Sequence, residues 1–115
     1  MRRAEIRLVD FEPVRGAAAN KRRPAVIVSN DGANATAERL GRGVLVVVPI
    51  TSNVDRIYPF QVFLRAEECG LPRDSKAQAE QIRSVAVERI GRQAGRVPIN
   101  LMAELNTAIR LHLGL

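Results

Sequence analysis

The chain has 115 residues, a net charge of +6 and 46% hydrophobic residues. That length suits one domain, read here as residues 1–115, in which roughly two-thirds of the unfolded surface is buried. The single cysteine, Cys69, excludes an internal disulfide and suits a reducing cytoplasm. No stretch approaches the ~20 apolar residues that span a bilayer. The basic N-terminus has no long apolar segment behind it, so the chain is expected to be neither secreted nor membrane-embedded.

Glu5 to Asp10 alternates in hydropathy and predicts a first strand. Phe11 to Arg23, with Pro13, Gly16 and three consecutive alanines, predicts a long loop of the kind that often carries function. Pro24 to Ser29 is a β-branched strand. Asn30 to Asn34 carries turn residues, and Ala35 to Leu40 suits a short helical turn. After the Gly41-Arg42-Gly43 turn, Val44 to Ile50 reads as a strongly buried strand. Thr51 to Tyr58 is a polar, exposed loop, and Phe60 to Leu64 is a further strand. Glu67 to Lys76 reads as a connection, Ala77 to Val87 as a mixed segment containing strand, and Arg92 to Arg96 as a loop. Pro98 to Leu113 is the clearest helix. Its stripe is Leu101, Met102, Leu105, Ala108 and Ile109, and Gly114 supplies the stop. Short strands with a terminal helix suggest a small curled sheet or barrel with a helix packed on it.

Of the 18 basic residues, 16 are arginine. A basic surface favours polyanions such as nucleic acid, acidic membranes or an acidic protein partner. Arginine's planar fork suits phosphate, although compositional bias could also explain the excess. The few aromatics (Phe11, Tyr58, Phe60 and Phe63) are too scarce for a broad base-stacking platform, so recognition should lean on arginine, backbone and amides. The lone His112 rules out a two-histidine acid–base pair and is expected to face solvent near a helix end. No metal motif is present, and Glu67, Glu68 and Asp74 read as an exposed acidic loop. No phosphate-binding glycine loop points to a nucleotide cofactor. Two features remain: the cationic run Lys21-Arg22-Arg23, and the polar Thr51-Ser52-Asn53 at the end of a buried strand. Each on its own is also consistent with ordinary solvated structure.

VDFEPVRG, RRPAVIVSN, VVVPITS, YPFQVFL and GLPRDSKAQAEQIRSV occur in that order, and with them the chain resembles the MazF/PemK ribonuclease toxins along nearly its whole length. The resemblance implies a mainly β fold with α: a small SH3-like β-barrel with a C-terminal helix, acting as a homodimer. It implies metal-independent, sequence-specific cleavage of single-stranded RNA (mRNA), restrained by a cognate antitoxin protein with an acidic tail. No cofactor is expected. On the same resemblance Arg23 and Thr51 are the catalytic residues. Lys21, Arg22, Ser52, Asn53, Gln81 and Arg83 are the expected RNA contacts, the last two within the Glu80-Gln81-Ile82-Arg83 segment.

Two positions depart from the family pattern. Gly16-Ala17-Ala18 stands where the family commonly has Ser-Glu after the loop glycine, so Ala18 removes a carboxylate. Ala4 and Arg7 stand where RGxxW or RGxxY is usual. Two alternatives follow: an attenuated ribonuclease that still binds RNA or antitoxin, and a non-cutting binder like the gyrase poison CcdB, since fold alone does not dictate function.

Overall fold

The computed structural model describes residues 1–11 and 22–115. Its strands are β1 (Glu5–Asp10), β2 (Arg22–Ile27), β3 (Val44–Thr51), β4 (Gln61–Leu64), β5 (Ser75–Gln78), β6 (Arg83–Ala86) and β7 (Ile90–Arg96). Its helices are α1 (Asp31–Leu40), the single-turn α2 (Ala66–Cys69) and α3 (Ile99–Leu113). Neighbouring strands are all antiparallel, in the order β4-β5-β3-β2-β1-β7, with β6 also pairing β3. The expected mainly β architecture is present, as an open sheet rather than a closed barrel.

β3 is the hub. Its first half pairs β6, its last two residues pair β5, and its other edge carries β2. Such a strand is covered on both faces, which explains the unbroken VLVVV run. Side chains alternate between faces. On β2, Val26 enters a core with Ile6, Val48, Ile50, Val62, Leu64 and the α3 stripe Leu101, Met102, Leu105 and Ala108. Its neighbours Ala25 and Ile27 enter a second core with Val9, Leu45, Val47 and Ala37 of α1.

The structure revises four segments. The turn residues before Ala35 belong to α1. The Asn30 side chain caps it by accepting the Ala33 N–H at 2.8 Å, and Asp31 lies in the positive first turn. Asn34, fully buried, exchanges hydrogen bonds with Ser29. Arg92 to Arg96 is not a loop but part of β7. The two glycines of β7 permit close approach rather than a turn: a Cβ at Gly95 would stand 2.1 Å from the Cys69 carbonyl oxygen. Arg22 and Arg23 open β2 instead of closing the preceding loop. Finally, the connection at 67–76 contains part of α2 and the start of β5.

β1 is pinned to β7 by a half-buried pair. Arg7 donates to Glu5 at 2.9 Å through Nε, lies 2.8 Å from it through Nη2, and reaches the Gly91 carbonyl at 3.1 Å. Burial pushes the Glu5 carboxyl up. The hydrogen bond and charge of Arg7 and the Arg2 backbone outweigh it, and the net position is below the usual carboxylate value. Ala4 has φ of 81°, a region that favours glycine.

Candidate ribonucleolytic cleft

β2 and β3 pair with Ala25 opposite Pro49 and Val26 opposite Val48. Continued two residues outward, that register sets Arg23 across from Thr51. Both line one cleft of about 280 Å³, with Pro24, Ile50, Ser52, Leu71, Pro72, Arg73 and Ser75. Among the described residues, the lining carries two guanidinium groups and three hydroxyls but no carboxylate or imidazole. Among the described residues neither Arg23 nor Arg73 is in an ion pair. Such a surface attracts an anion and has no internal substitute for one.

Thr51 ends β3 opposite Lys76 of β5. Its hydroxyl oxygen accepts the Asn53 N–H at 3.2 Å, and Asn53 Oδ1 accepts the Asp55 N–H at 3.2 Å. The turn thereby orients the hydroxyl and leaves its proton available to donate. Lys76 is a cation beside Thr51 in register, but it is buried. Its Nζ donates to the Arg56 carbonyl at 2.6 Å, which ties down the loop after β3.

The other expected contacts are dispersed. Arg22 turns away from the cleft, and its guanidinium covers Gly91, where a Cβ would lie 2.2 Å from it. Gln81 is exposed on a 3-10 turn. Arg83 opens β6 opposite Val47, with its guanidinium 5.2 Å from the Phe11 ring centroid. Four residues of strand separate Val47 from Thr51, so Arg83 stands roughly 13 Å along the sheet from the cleft. Lys21 and the Gly16-Ala17-Ala18 departure lie outside the described residues. Arg73 and Ser75 join the cleft although they had read as part of a polar connection. Both lie within the GLPRDSKAQAEQIRSV block, which carried no role for either of them. Two of the scarce aromatics do meet: Tyr58 stacks parallel on Phe60 at 5.4 Å.

A larger groove of about 570 Å³ beside α3 has Val28, Val46, Ile82 and Ile109 in its wall. Its Arg3 is already committed to the Val28 carbonyl and the Asn106 side chain. His112 is exposed on the last turn of α3. Cys69 is buried, and burial, helped by Glu68, pushes its thiol up, away from reactivity. No three metal-ligating side chains cluster among the described residues, and no helix is long and apolar enough to cross a membrane.

Residues 2–113 match the PemK-like, MazF-like toxins of type II toxin–antitoxin systems. The chain is 61% identical over 115 residues to Endoribonuclease MazF9 of Mycobacterium tuberculosis, covering all of this chain and 98% of that protein. It is 31% identical over 116 residues to Endoribonuclease MazF of Staphylococcus saprophyticus, covering 100% and 92% of the two chains. A solved mycobacterial endoribonuclease in complex with its cognate antitoxin superposes with a TM-score of 0.77 at 24% identity, covering 100% of this chain and 96% of that one, a likeness of fold.

Proposed function

The chain belongs to the PemK-like, MazF-like toxins of type II toxin–antitoxin systems, and from that premise we propose that it is an endoribonuclease acting on single-stranded mRNA in the cytoplasm. The observation that carries this reading is the cleft between β2, β3 and the segment entering β5, which both Arg23 and Thr51 line.

The ribose 2′-oxygen attacks the adjacent phosphorus and the bond to the 5′-oxygen breaks. The products are a 2′,3′-cyclic phosphate and a 5′-hydroxyl. Negative charge gathers on the non-bridging oxygens in the transition state. Arg23 stabilises that charge and the Thr51 hydroxyl donates to it, groups already positioned before reaction. Arg23 is not the base, because a guanidinium offers only donors and no lone pair to take a proton. The 2′-proton leaves to solvent, and the departing 5′-oxygen takes a proton from water or from Arg23. Ser52 and Asn53 shape the approach to the cleft, while Lys21, Arg22, Gln81 and Arg83 serve the flanking RNA. The chemistry needs no metal or other cofactor. The active form is a homodimer, and a cognate antitoxin covers the cleft with carboxylates.

Among the described residues the cleft lining has no carboxylate or imidazole, which with Ala18 favours a second reading, an attenuated enzyme. General acid–base help is worth about 10²–10⁴ in rate, so Ala18→Glu should speed cleavage by about 10² or more if Ala18 removed that help. An unchanged rate would count against attenuation at this position.

Incubating a long mixed-sequence RNA with the pure protein in EDTA, and mapping the fragment ends, tests the proposal. Discrete fragments with 5′-hydroxyl ends are expected. RNA left intact at every salt concentration would overturn it, and gyrase inhibition by the same preparation would support a non-cutting toxin instead.

A further inference from the structure

The resemblance assigns a role to one of the two guanidinium groups in the cleft, that of Arg23. The other, Arg73, lies on the connection from α2 to β5, a segment held at several points. Leu71 is buried in the core. Asp74 Oδ1 accepts the Ala66 N–H at 2.9 Å, and the Ser75 hydroxyl donates to the Arg73 carbonyl at 3.0 Å. β5 then pairs β3 with Lys76 opposite Thr51, so the Arg73 backbone is fixed three residues from the register partner of Thr51. Arg23 arrives from β2, on the opposite edge of β3. The two arginines therefore flank Thr51 from the two neighbours of one strand.

Three arginines elsewhere are in ion pairs: Arg7 with Glu5, Arg2 with Asp31 and Arg65 with Glu67. Arg73 has no carboxylate among the described residues, and neither has any lining residue of its cleft. Two cations directed at one small space repel each other until an anion lies between them. Two planar forks approaching from opposite sides also match the oxygens of a single phosphate better than ammonium groups do.

We propose that Arg73 is a second phosphate-binding residue, gripping the scissile phosphate from the side opposite Arg23. The inference rests on the ribonuclease reading above. As the phosphorus gains its fifth oxygen, each guanidinium donates to a different non-bridging oxygen. The benefit of Arg73 is therefore largest in the transition state and falls mainly on kcat.

The experiment compares the parent with Arg73→Ala, Arg73→Gln, Arg73→Lys and, as a control for lost charge, Arg42→Ala, whose arginine lines a separate groove beside α1. Each is first checked for cooperative unfolding, then assayed on a short RNA carrying the mapped cleavage motif. Removal of one preorganised donor typically lowers kcat by about 10²–10³. Arg73→Ala and Arg73→Gln are expected in that range with a smaller change in KM, Arg73→Lys between them and the parent, and Arg42→Ala within threefold of the parent. Cleavage by folded Arg73→Ala or Arg73→Gln within threefold of the parent overturns the proposal.

Should the parent cut no RNA, the ribonuclease reading fails separately, and binding of a mixed-sequence, uncleavable 2′-deoxy oligonucleotide decides the role of Arg73. Loss of one phosphate contact should reduce the slope of log K against log salt by about one for Arg73→Ala and not for Arg42→Ala. Equal slopes for the two overturn the contact.

Discussion

Arginine is used in opposite ways at the β1–β7 seam and in the cleft. At the seam, Arg7 is half-buried and bonded to a carboxylate and a backbone carbonyl, and its charge is satisfied within the fold. In the cleft, Arg23 and Arg73 are exposed and unpaired among the described residues, with hydroxyls for neighbours and no carboxylate on the lining. A satisfied arginine ties strands together. An unsatisfied pair around one small space waits for an anion from outside. The +6 charge alone does not separate these roles, whereas the partner of each guanidinium does.

The largest expected effect sharpens the cleft side. Arg23→Ala should lower RNA cleavage by about 10³, at the upper end of what loss of one oxyanion donor does. Fragment yield over time measures it, and an unchanged rate would show that the charge of Arg23 is not used in catalysis. Thr51→Val keeps the shape and removes the hydroxyl. Cleavage should fall by about 10², read as kcat, because the hydrogen bond strengthens as charge develops. If Thr51→Val affects only KM, the hydroxyl holds RNA without aiding the reaction.

The seam side can be broken by acid. The folded Glu5 carboxyl titrates below its ordinary value, so its ionised form stabilises the fold above the unfolded carboxylate value near 4.3. That contribution disappears as pH falls through the lower folded value. Urea midpoints of the parent and Glu5→Gln should therefore differ clearly at pH 6 and converge towards pH 3. A gap that persists at pH 3 would mean that Glu5 acts through packing rather than charge.

The smallest effect concerns Ala4, at φ 81°. Glycine would relieve about 1–2 kcal/mol of backbone strain. It would also lose about 0.8 kcal/mol of buried methyl and a similar amount to greater freedom of the unfolded chain. Ala4→Gly should thus change stability by less than about 1 kcal/mol, measured by urea unfolding. A loss above 2 kcal/mol would show that this methyl matters more to the core than the strain does.

β1, β3 and α3 were legible in the chain because hydropathy alone reports their burial: alternation in Glu5–Asp10, an unbroken run in Val44–Ile50, a helical stripe from Leu101 to Ile109. α1 was half hidden because Asn30 and Asp31 are turn formers that here cap a helix. β7 was hidden because Gly95 read as a loop residue when its role is to admit the Cys69 carbonyl at short range. Arg23 and Thr51 stood out through motifs. The meeting of those two residues, and the arrival of Arg73 beside them, depend on strand register between segments far apart in the chain. No local pattern encodes that. Arg22, expected as an RNA contact, stands beside Arg23 in the chain, but strand alternation carries its guanidinium over Gly91 and away from the cleft.

The most direct measurement assays Arg7→Ala and Arg23→Ala for both properties on the same samples. The account predicts a crossed result. Arg7→Ala should lose about 2–4 kcal/mol of stability in urea, since it leaves Glu5 without its cation, yet cut RNA at nearly the parental rate under native conditions. Arg23→Ala should unfold like the parent and barely cut. If both variants lose stability and activity together, or if Arg23→Ala cuts normally, the division between structural and catalytic arginines is contradicted.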